Sequence, residues 1–490
     1  MVINKAITKN NVLSSIFWKF IERGGTQGVS FILSIILARL LLPREYGLIA
    51  LLMIFIALAN VFVESGFNTA LIQKKNTDDK DFSTVFFLSL FIATLLYMIL
   101  FIFAGSIANF YEEIQLKVVI RVLSIILFFG AVNSIQIAVL SREMQFKKLF
   151  FSSIIAVIIS GFIGIILAYN KYGVWALVWQ QITNQFLLTL ILWISVKWRP
   201  KFLFSLERLK ELYSFGWKIL ATNLINTLFI DLRSLIIGKI YSASMLGYFN
   251  RGKQFPQIII NNINGSIQSV MLPTFSSEQD NRLRVKQMVK RSITTSSLIV
   301  FPLMMGLAII AEPLIKIILT DKWLPCVPFL QIFCATYMLF PIHTANLQSI
   351  KALGYSGTTL KIEIIKKFFE LTVLIISLNY GIYAIALGTF LTSLISLFIN
   401  LFPNRKLLNY GITEQLKDIS PPLFVSIFTS SIIYLIKFIG LSTLNTLLIQ
   451  VAFGVVLYFS LAYIFKLECL TYLLKIILNF FETKYLRKKI

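Results

Sequence analysis

Charge is scarce in this sequence. Only 14% of its 490 residues are charged, whereas an ordinary soluble domain carries about 25%. Long polar stretches are also missing, and no polar segment between two apolar runs leaves room for a separate soluble domain of about 50 residues or more. The chain is instead 57% hydrophobic, with a mean hydropathy of +0.80, and apolar runs recur along its whole length. We therefore predict an all-α integral membrane protein that crosses the bilayer many times.

The sequence contains few residues that could bind a metal ion or form a disulfide. The three cysteines, Cys326, Cys334 and Cys469, have neither metal-site nor disulfide spacing. The single histidine, His343, does not make a metal site by itself. We expect all four to be packed side chains in or near spans, and we expect no cofactor.

The formal net charge of +24 comes from 46 Lys and Arg against 22 Asp and Glu. In a soluble protein such an excess would suggest nucleic-acid binding. Here the basic residues lie in short loops between apolar runs, and the sequence contains no module that combines aromatic and basic residues to bind nucleic acid. We therefore expect membrane lipid rather than nucleic acid as the partner of these charges.

About 20 apolar residues are needed to cross the hydrocarbon layer as a helix. Loops and turn residues divide the sequence into fourteen predicted spans. The first is expected to be a retained helix, because no small-residue cleavage site follows the polar N-terminus. The predicted spans are 14–38, 46–72, 83–108, 118–140, 150–169, 173–196, 215–240, 246–274, 292–319, 325–350, 361–379, 382–402, 421–439 and 444–465.

The distribution of Lys and Arg orients these spans. With the N-terminus inside, the inner segments hold 31 of these residues and the outer segments hold seven. Short cytoplasmic loops are enriched in Lys and Arg in membrane proteins generally. The bias therefore predicts that both termini are cytoplasmic.

An internal repeat of about 200 residues divides the chain. Phe17-Trp18-Lys19 corresponds to Phe215-Gly216-Trp217-Lys218, and Tyr46-Gly47 corresponds to Leu246-Gly247. Each repeat holds six spans, so both have the same topology and are related by an axis along the membrane normal. We predict a six-helix lobe at 1–204, a second at 205–420, two extra spans at 421–466 and a cytoplasmic interfacial tail at 467–490. Within the second lobe, 205–212 (SLERLKEL) is expected to be a short surface helix.

Polar residues recur on one face of spans 1, 2, 7 and 8, whereas the other spans are mostly apolar. Buried charges are costly in a bilayer and normally face a cavity or a partner. Four stripes in repeated positions predict a water-filled cleft between the lobes, with interhelical hydrogen bonding as the alternative for any single Asn or Gln. The candidate cavity residues and candidate ion-coupling residues are Glu22, Glu64, Asp231, Asn60, Asn68, Asn223, Gln254 and Asn261.

Cations outnumber acids in this predicted cleft. Six basic residues face only Glu22, Glu64 and Asp231, which predicts a positive lumen and an anionic substrate. Arginine binds phosphate well because its planar fork reaches two oxygens at once. Internal ion pairing is the alternative, although three acids do not neutralise six cations. The candidate substrate-binding cations are Arg251, Arg23, Lys19, Lys253, Arg233 and Lys218.

Three stretches resemble the polysaccharide transporter family: residues 37–51 (LARLLLPREYGLIAL), 64–73 (ESGFNTALIQ) and 246–257 (LGYFNRGKQFPQ). The similarity runs through roughly residues 12–420. The family belongs to the superfamily that also contains multidrug and toxin extrusion transporters. The resemblance implies two six-helix lobes forming a V, two extra helices, and alternating access.

The eighth span departs from the family pattern. Relatives often read Tyr-Asn-Arg-Ala-Tyr-Arg, whereas this chain reads Phe249-Asn250-Arg251-Gly252-Lys253-Gln254. It keeps the first arginine and places a lysine one position before the second.

The resemblance implies a flippase for an undecaprenyl-diphosphate-linked oligosaccharide in a bacterial inner membrane, serving surface polysaccharide synthesis. A polysaccharide polymerase and glycosyltransferases are further candidate partners. One alternative is a cation-coupled multidrug exporter of the same fold, although a positive lumen disfavours cationic drugs. A second is a membrane glycan polymerase or ligase. This enzyme class is disfavoured because the outer loops are short and the acids in them have no evident partner in the sequence: Glu45, Glu112, Glu113 and Asp321.

Overall fold

The computed structural model describes residues 9–64, 67–74 and 77–471. Within these ranges the regular elements are 18 α-helices and three short 3₁₀ turns, Asp321–Cys326, Leu378–Tyr380 and Ile436–Ile439. The α-helices are α1 (Lys9–Leu40), α2 (Pro43–Glu64), α3 (Phe67–Gln73), α4 (Asp79–Phe110), α5 (Gln115–Leu123), α6 (Ile126–Arg142), α7 (Phe146–Tyr169), α8 (Val174–Ser195), α9 (Leu206–Ile240), α10 (Ala243–Ser276), α11 (Arg282–Ile309), α12 (Ala311–Leu319), α13 (Val327–Met338), α14 (Phe340–Ala352), α15 (Ser356–Ser377), α16 (Ile382–Leu407), α17 (Ile412–Leu435) and α18 (Thr443–Ile464).

Helices are the expected elements, because a spanning segment must satisfy its own backbone hydrogen bonds in hydrocarbon. In the described part of the chain, 11 helical segments are long and apolar enough to cross a membrane. The other three predicted spans fall on α1, α10 and α15, which have 32, 34 and 22 residues and carry more polar side chains. The prediction of an all-α, multi-pass membrane protein is confirmed, and the count of fourteen spans stays a prediction.

Several predicted spans are interrupted. The fourth consists of α5 and α6, the ninth of α11 and α12, and the tenth of a 3₁₀ turn followed by α13 and α14. The second comprises α2 and α3, and residues 65–66 between them lie outside the described residues. Proline explains two of these breaks, because its ring clashes with the carbonyl four residues earlier. Pro313 lies just after the break at Ile310, and Pro341 lies just after the break at Leu339.

The segment 205–212 is not a separate surface helix, so that prediction was wrong. It forms the first two turns of α9, which runs unbroken from Leu206 to Ile240. Ser205 caps the helix by accepting a hydrogen bond from the backbone N–H of Arg208. Leu212 is buried in a core cluster with Leu71 and Phe82. Leu209, three residues earlier on the same helix face, packs against the same cluster. These two leucines hold the first turns of α9 against the neighbouring helices.

The chain divides into two compact units, residues 1–247 and 248–490. The first has a core formed by α3, α4, α6 and the ends of α8 and α9, including Phe82, Phe86 and Ile135. The second has a core formed by α10, α11, α14, α16 and α17, including Phe275 and Tyr410. In the first unit α9 packs against α2, α3 and α4. The lobe boundaries at 204, 420 and 466 come from the sequence repeat and stay a prediction, and most of the predicted tail 467–490 lies outside the described residues.

Apolar side chains cover the outer surface of several helices. On α4, Phe91, Leu95, Met98 and Ile102 follow one another at three- or four-residue spacing and are all exposed. A soluble monomer rarely exposes a continuous apolar stripe of this kind. We expect lipid chains to cover these faces.

Charged side chains at one end of the first unit form a connected ion-pair network. The Lys74 Nζ atom lies 3.1 Å from Asp81 and 2.8 Å from Glu211, and the Arg208 guanidinium lies 3.9 Å from Asp81. The hydrogen bond from Lys74 lowers the pKa of the Glu211 carboxyl. These residues all come from segments that the charge bias predicts to be cytoplasmic. We call this group the inner network.

Two ion pairs of the first unit join segments predicted to be external. Arg44 lies 2.6 Å from Glu113, and Lys239 lies 3.0 Å from Glu112. Each of these ion pairs therefore joins two segments that the predicted alternation of spans places on the same side of the membrane. The predicted orientation of the two ends in the membrane is open to direct test.

In a cysteine-free background, we expect cysteines replacing Lys148 or Arg405 to react with an impermeant maleimide only from the cytoplasm. Cysteines replacing Lys171 or Lys322 should react only from outside, because an odd number of predicted spans separates the two groups. Labelling of intact cells and of inverted vesicles measures this directly. A cysteine at Glu113 that reacts from the cytoplasm would contradict the span count.

Two glycines of the internal repeat lie at a close helix approach within the first unit. A Cβ atom on Gly47 would overlap the backbone carbonyl of Ala243, and a Cβ atom on Gly247 would overlap the carbonyl of Pro43. The first turns of α2 and α10 therefore cross with their backbones in contact. Small residues permit such close approach in membrane helices. The repeated Tyr46-Gly47 and Leu246-Gly247 motifs thus place the glycines where this crossing requires them.

Candidate functional site

The first predicted polar stripe lies on α1, which packs along α7. Lys19 is exposed, and its Nζ atom lies 5.0 Å from the centroid of the Phe146 ring. Glu22 is half-buried. The Arg23 side chain lies outside the described residues. Among the described side chains of this stripe, Lys19 therefore offers an accessible positive charge.

The second stripe is divided between α2 and α3. Asn60 is half-buried and faces α6, where a Cβ atom on Gly130 would lie 3.1 Å from its Oδ1 atom. Glu64 is exposed at the end of α2, and the described helix resumes at Phe67. The Asn68 Oδ1 atom on α3 is buried and has no hydrogen-bond partner within the described part of the chain. Because residues 65–66 lie outside the described residues, the expected single face running through these three residues stays a prediction.

The third stripe lies on α9 and is the most open of the four. Lys218 and Asn223 are exposed, and Asp231 and Arg233 are half-buried. Two of the predicted cations and one predicted acid thus lie on one long helix within 16 residues. Two of these four predicted site residues, Lys218 and Asn223, are exposed.

The fourth stripe begins in a buried environment on α10. Arg251 is only 3% exposed; its Nη1 atom donates a hydrogen bond of 2.6 Å to Gln254 Oε1, and its Cζ atom lies 5.2 Å from the Trp323 ring centroid. The next residue, Gly252, packs so closely that a Cβ atom would lie 2.8 Å from the Cys326 carbonyl oxygen. Lys253 is half-buried and Asn261 is exposed. The family-like motif therefore also fixes the start of α10 against the turn that precedes α13.

Sequence reasoning missed a buried polar network in the second unit. The Asn404 Nδ2 atom donates to Asn346 Oδ1 at 2.6 Å, and the Asn346 Nδ2 atom donates to Gln415 Oε1 at 3.0 Å. His343 lies between Ser393 and Asn400, at 3.2 and 3.0 Å. Spans 10 and 12 lie on helical segments that are apolar enough to cross a membrane, as expected, but they also carry buried polar side chains that the four predicted stripes did not include. The pairs Asn400 and Asn404, four residues apart, and Asn346 and His343, three apart, were the available signal.

The four acids in the predicted outer loops have partners in the structure, although none is evident from the sequence. Glu113 pairs with Arg44, Glu112 with Lys239, and Asp321 with Lys316 at 3.7 Å. Glu45 accepts a hydrogen bond of 2.6 Å from the Leu42 N–H. These contacts give each acid a structural role. They supply no pair of facing carboxyls for acid–base chemistry among these four residues.

Known proteins resemble this chain over much of its length. A family model described as polysaccharide biosynthesis protein matches residues 36–328, more than half of the chain. The succinoglycan biosynthesis transport protein ExoT of Rhizobium meliloti (strain 1021) is 23% identical over 71% of this chain and 70% of its own length. The lipopolysaccharide biosynthesis protein WzxC of Escherichia coli (strain K12) is 21% identical over 87% of each chain. The teichuronic acid biosynthesis protein TuaB of Bacillus subtilis (strain 168) is 26% identical, and the match spans 62% of its length.

Solved transporters share the fold. The lipid II flippase MurJ, in an inward closed conformation, superposes with a TM-score of 0.76 at 18% identity, covering 93% of this chain and all of that one. An inward-facing multidrug resistance MATE family transporter superposes less closely, with a TM-score of 0.57 at 16% identity over 78% of this chain and 95% of its own. The helices, their order and the family match together give one conclusion: the chain belongs to the polysaccharide biosynthesis protein family of multi-pass membrane proteins.

Proposed function

We propose that this protein is a flippase that moves an undecaprenyl-diphosphate-linked oligosaccharide across a bacterial inner membrane by alternating access. The observation that carries the proposal is a set of predicted spans with more cations than acids, in a chain whose relatives are named for polysaccharide synthesis and transport. The diphosphate is the anionic part of such a substrate. In this proposal the sugar headgroup passes along the predicted polar stripes while the lipid tail stays in the bilayer.

The proposed binding site uses the cations on α1, α9 and α10. Lys19 and Lys218 are exposed, so their charges are accessible without rearrangement. Arg233 and Lys253 are half-buried, and Arg251 is buried against Trp323. Arg23 completes the set on sequence grounds. A phosphate contact to any of these is a charge-assisted hydrogen bond, roughly twice as strong as a neutral one.

Two other functions are less well supported. A multidrug exporter would share the fold, but cationic drugs would meet the exposed Lys19 and Lys218. A glycan polymerase or ligase would need free acids outside the membrane, and four outer acids are held by ion pairs or a backbone hydrogen bond. We therefore propose transport without enzymatic chemistry.

Reconstitution separates these classes. Purified full-length protein in proteoliposomes with one lipid-linked repeat unit should move the sugar headgroup to the opposite leaflet without lengthening the glycan. Headgroup accessibility to a glycosidase or a periodate probe measures translocation, and gel analysis of the glycan measures polymerisation. Longer glycans, or translocation of a cationic dye in place of the repeat unit, would contradict the proposal.

Alternating access predicts that the inner network opens during transport. Cysteines replacing Lys74 and Glu211, joined by a short reducible bifunctional reagent, should hold α9 against the α3–α4 connection and stop translocation. Activity should return when the linker is reduced. A cysteine pair replacing Arg44 and Glu113 is the matched control at the other end of the same unit, since both partners precede α9. Full transport by the Lys74–Glu211 cross-linked protein would mean that this end does not open.

A further inference from the structure

Aromatic rings and lysines meet where the first part of α1 lies against the beginning of α7. The Trp18 ring centroid is 5.8 Å from that of Phe150, and the Lys147 Nζ atom lies 5.3 Å from the Trp18 ring. Lys19 lies 5.0 Å from the Phe146 ring in the same way. We call Trp18, Lys19, Phe146, Lys147 and Phe150 the aromatic–lysine cluster. It belongs to the first unit and joins two segments predicted to be at the cytoplasmic side.

The cations of this cluster differ from other basic residues at this end. Lys74, Lys201 and Arg208 lie within 4 Å of carboxylates. Within the described residues, the ion pairs include neither Lys19 nor Lys147, and both side chains are exposed. The neighbouring Lys148 is also exposed and donates only to the Ser195 carbonyl, at 3.3 Å. Lys147 and Lys148 are adjacent in the sequence, Lys19 joins them through the packing of α1 on α7, and none of the three forms an ion pair within the described residues.

Two acids lie near the cluster and have other contacts. Glu143 accepts a hydrogen bond from the Gln145 side chain, at 2.5 Å. Glu22 is half-buried one turn beyond Lys19, where Thr26 donates to its backbone carbonyl. Even when both acids are counted, the three lysines Lys19, Lys147 and Lys148 leave an excess of one positive charge. Lysine attracts anionic lipid headgroups at a membrane surface, and Trp rings are enriched at the same depth.

An apolar stripe leads away from the cluster along α7. Phe151, Ile155, Ile159, Phe162 and Ile166 are separated by three or four residues and are all exposed. This spacing puts them on one face of the helix. A lipid whose phosphates sit at the lysines would therefore find a continuous hydrocarbon-binding face for its tail. The combination fits a lipid-borne phosphate better than a soluble anion.

We propose that the aromatic–lysine cluster, with Lys148, binds the diphosphate of a polyprenyl-linked substrate in the inner leaflet before translocation. The proposal rests on the proposed flippase function and adds an entry site to it. Lys19 belongs both to the cluster and to the polar stripe of α1, so it connects the entry site to the proposed cleft. The alternative occupant with the same chemistry is an ordinary anionic phospholipid.

Binding to the purified full-length protein tests the proposal. Undecaprenyl diphosphate, phosphatidylglycerol and free pyrophosphate are compared by native mass spectrometry. The double variant Lys147→Gln/Lys148→Gln should bind undecaprenyl diphosphate roughly ten- to thirtyfold more weakly, because each lysine near the surface contributes about three- to fivefold to the affinity. Lys147→Arg/Lys148→Arg should retain binding. Lys171→Gln, an exposed lysine just after the other end of α7, is the matched control and should have no effect.

Each other outcome overturns the proposal. Unchanged undecaprenyl diphosphate binding by the double glutamine variant removes the site. An equal loss of phosphatidylglycerol binding makes it a general anionic-lipid surface, and equally tight pyrophosphate binding makes it a soluble-anion site. Thermal unfolding confirms that the variants are folded. If the wild-type protein does not translocate a lipid-linked repeat unit, the proposed function fails; if it does while the variants bind normally, only the entry site fails.

Discussion

Replacing Gly47 with alanine is expected to abolish export of the surface polysaccharide. The added Cβ atom would overlap the carbonyl oxygen of Ala243, which belongs to the backbone and has no rotamer to change. The first turns of α2 and α10 would have to move apart, and overpacking of this kind costs about 1–3 kcal/mol. If transport needs this crossing to close in each cycle, the variant is held away from the closed state. Surface polysaccharide in a complementation strain, normalised to protein level, measures the effect.

Gly306→Ala is the matched control for this substitution. Gly306 lies inside the spanning helix α11, and nothing lies within 4 Å of a Cβ atom built on it. Alanine is favoured over glycine in a helix interior by about 1 kcal/mol, so this variant should be stable and active. Gly247→Ala, the repeat partner of Gly47, should behave like Gly47→Ala, because its Cβ atom would overlap the Pro43 carbonyl. Wild-type export by both crossing variants would show that the contact can loosen without consequence.

The sequence was sufficient for the helical architecture because hydrophobicity alone selects segments long enough to span. It was less informative about where helices break or continue. The interruption at Leu339 depends on Pro341, which can equally well lie inside a helix, as Pro256 does in α10. The fusion of 205–212 with α9 depends on the burial of Leu212 beside Leu71, a contact between residues far apart in the chain.

The candidate site was only partly predictable for a similar reason. Helical spacing identifies which side chains share a face, and the stripes on α1 and α9 were found in this way. Helical spacing does not indicate which residues of other helices each face contacts. Trp323, which packs against Arg251, lies 72 positions away and carries no sequence signal of that contact. In the sequence Lys147 is only one of the basic residues of a predicted inner segment, whereas the structure places its Nζ atom over the Trp18 ring.

Arg251→Ala is expected to abolish flipping at normal expression, whereas Arg251→Lys should keep part of the activity. Lysine retains the charge near the Trp323 ring but loses the planar fork that can bind two phosphate oxygens. Loss of one charge-assisted contact costs about 1.5–3 kcal/mol, or roughly ten- to 150-fold in binding. Glu64→Gln and Asp231→Asn should reduce export less. Surface polysaccharide per molecule of folded protein is the measurement.

A purely structural role for Arg251 makes a different prediction, because its guanidinium is buried and bonded to Gln254. Trp323→Leu removes the ring that Arg251 stacks on and leaves the charge in place. If Arg251 acts only through packing, Trp323→Leu and Arg251→Ala should lower the unfolding temperature and the export in parallel. If it contacts the diphosphate, Trp323→Leu should keep most of its export per folded molecule while Arg251→Ala keeps none. Wild-type polysaccharide from Arg251→Ala would remove this residue from the site, and a larger loss from Glu64→Gln or Asp231→Asn would favour an ion-coupled exporter.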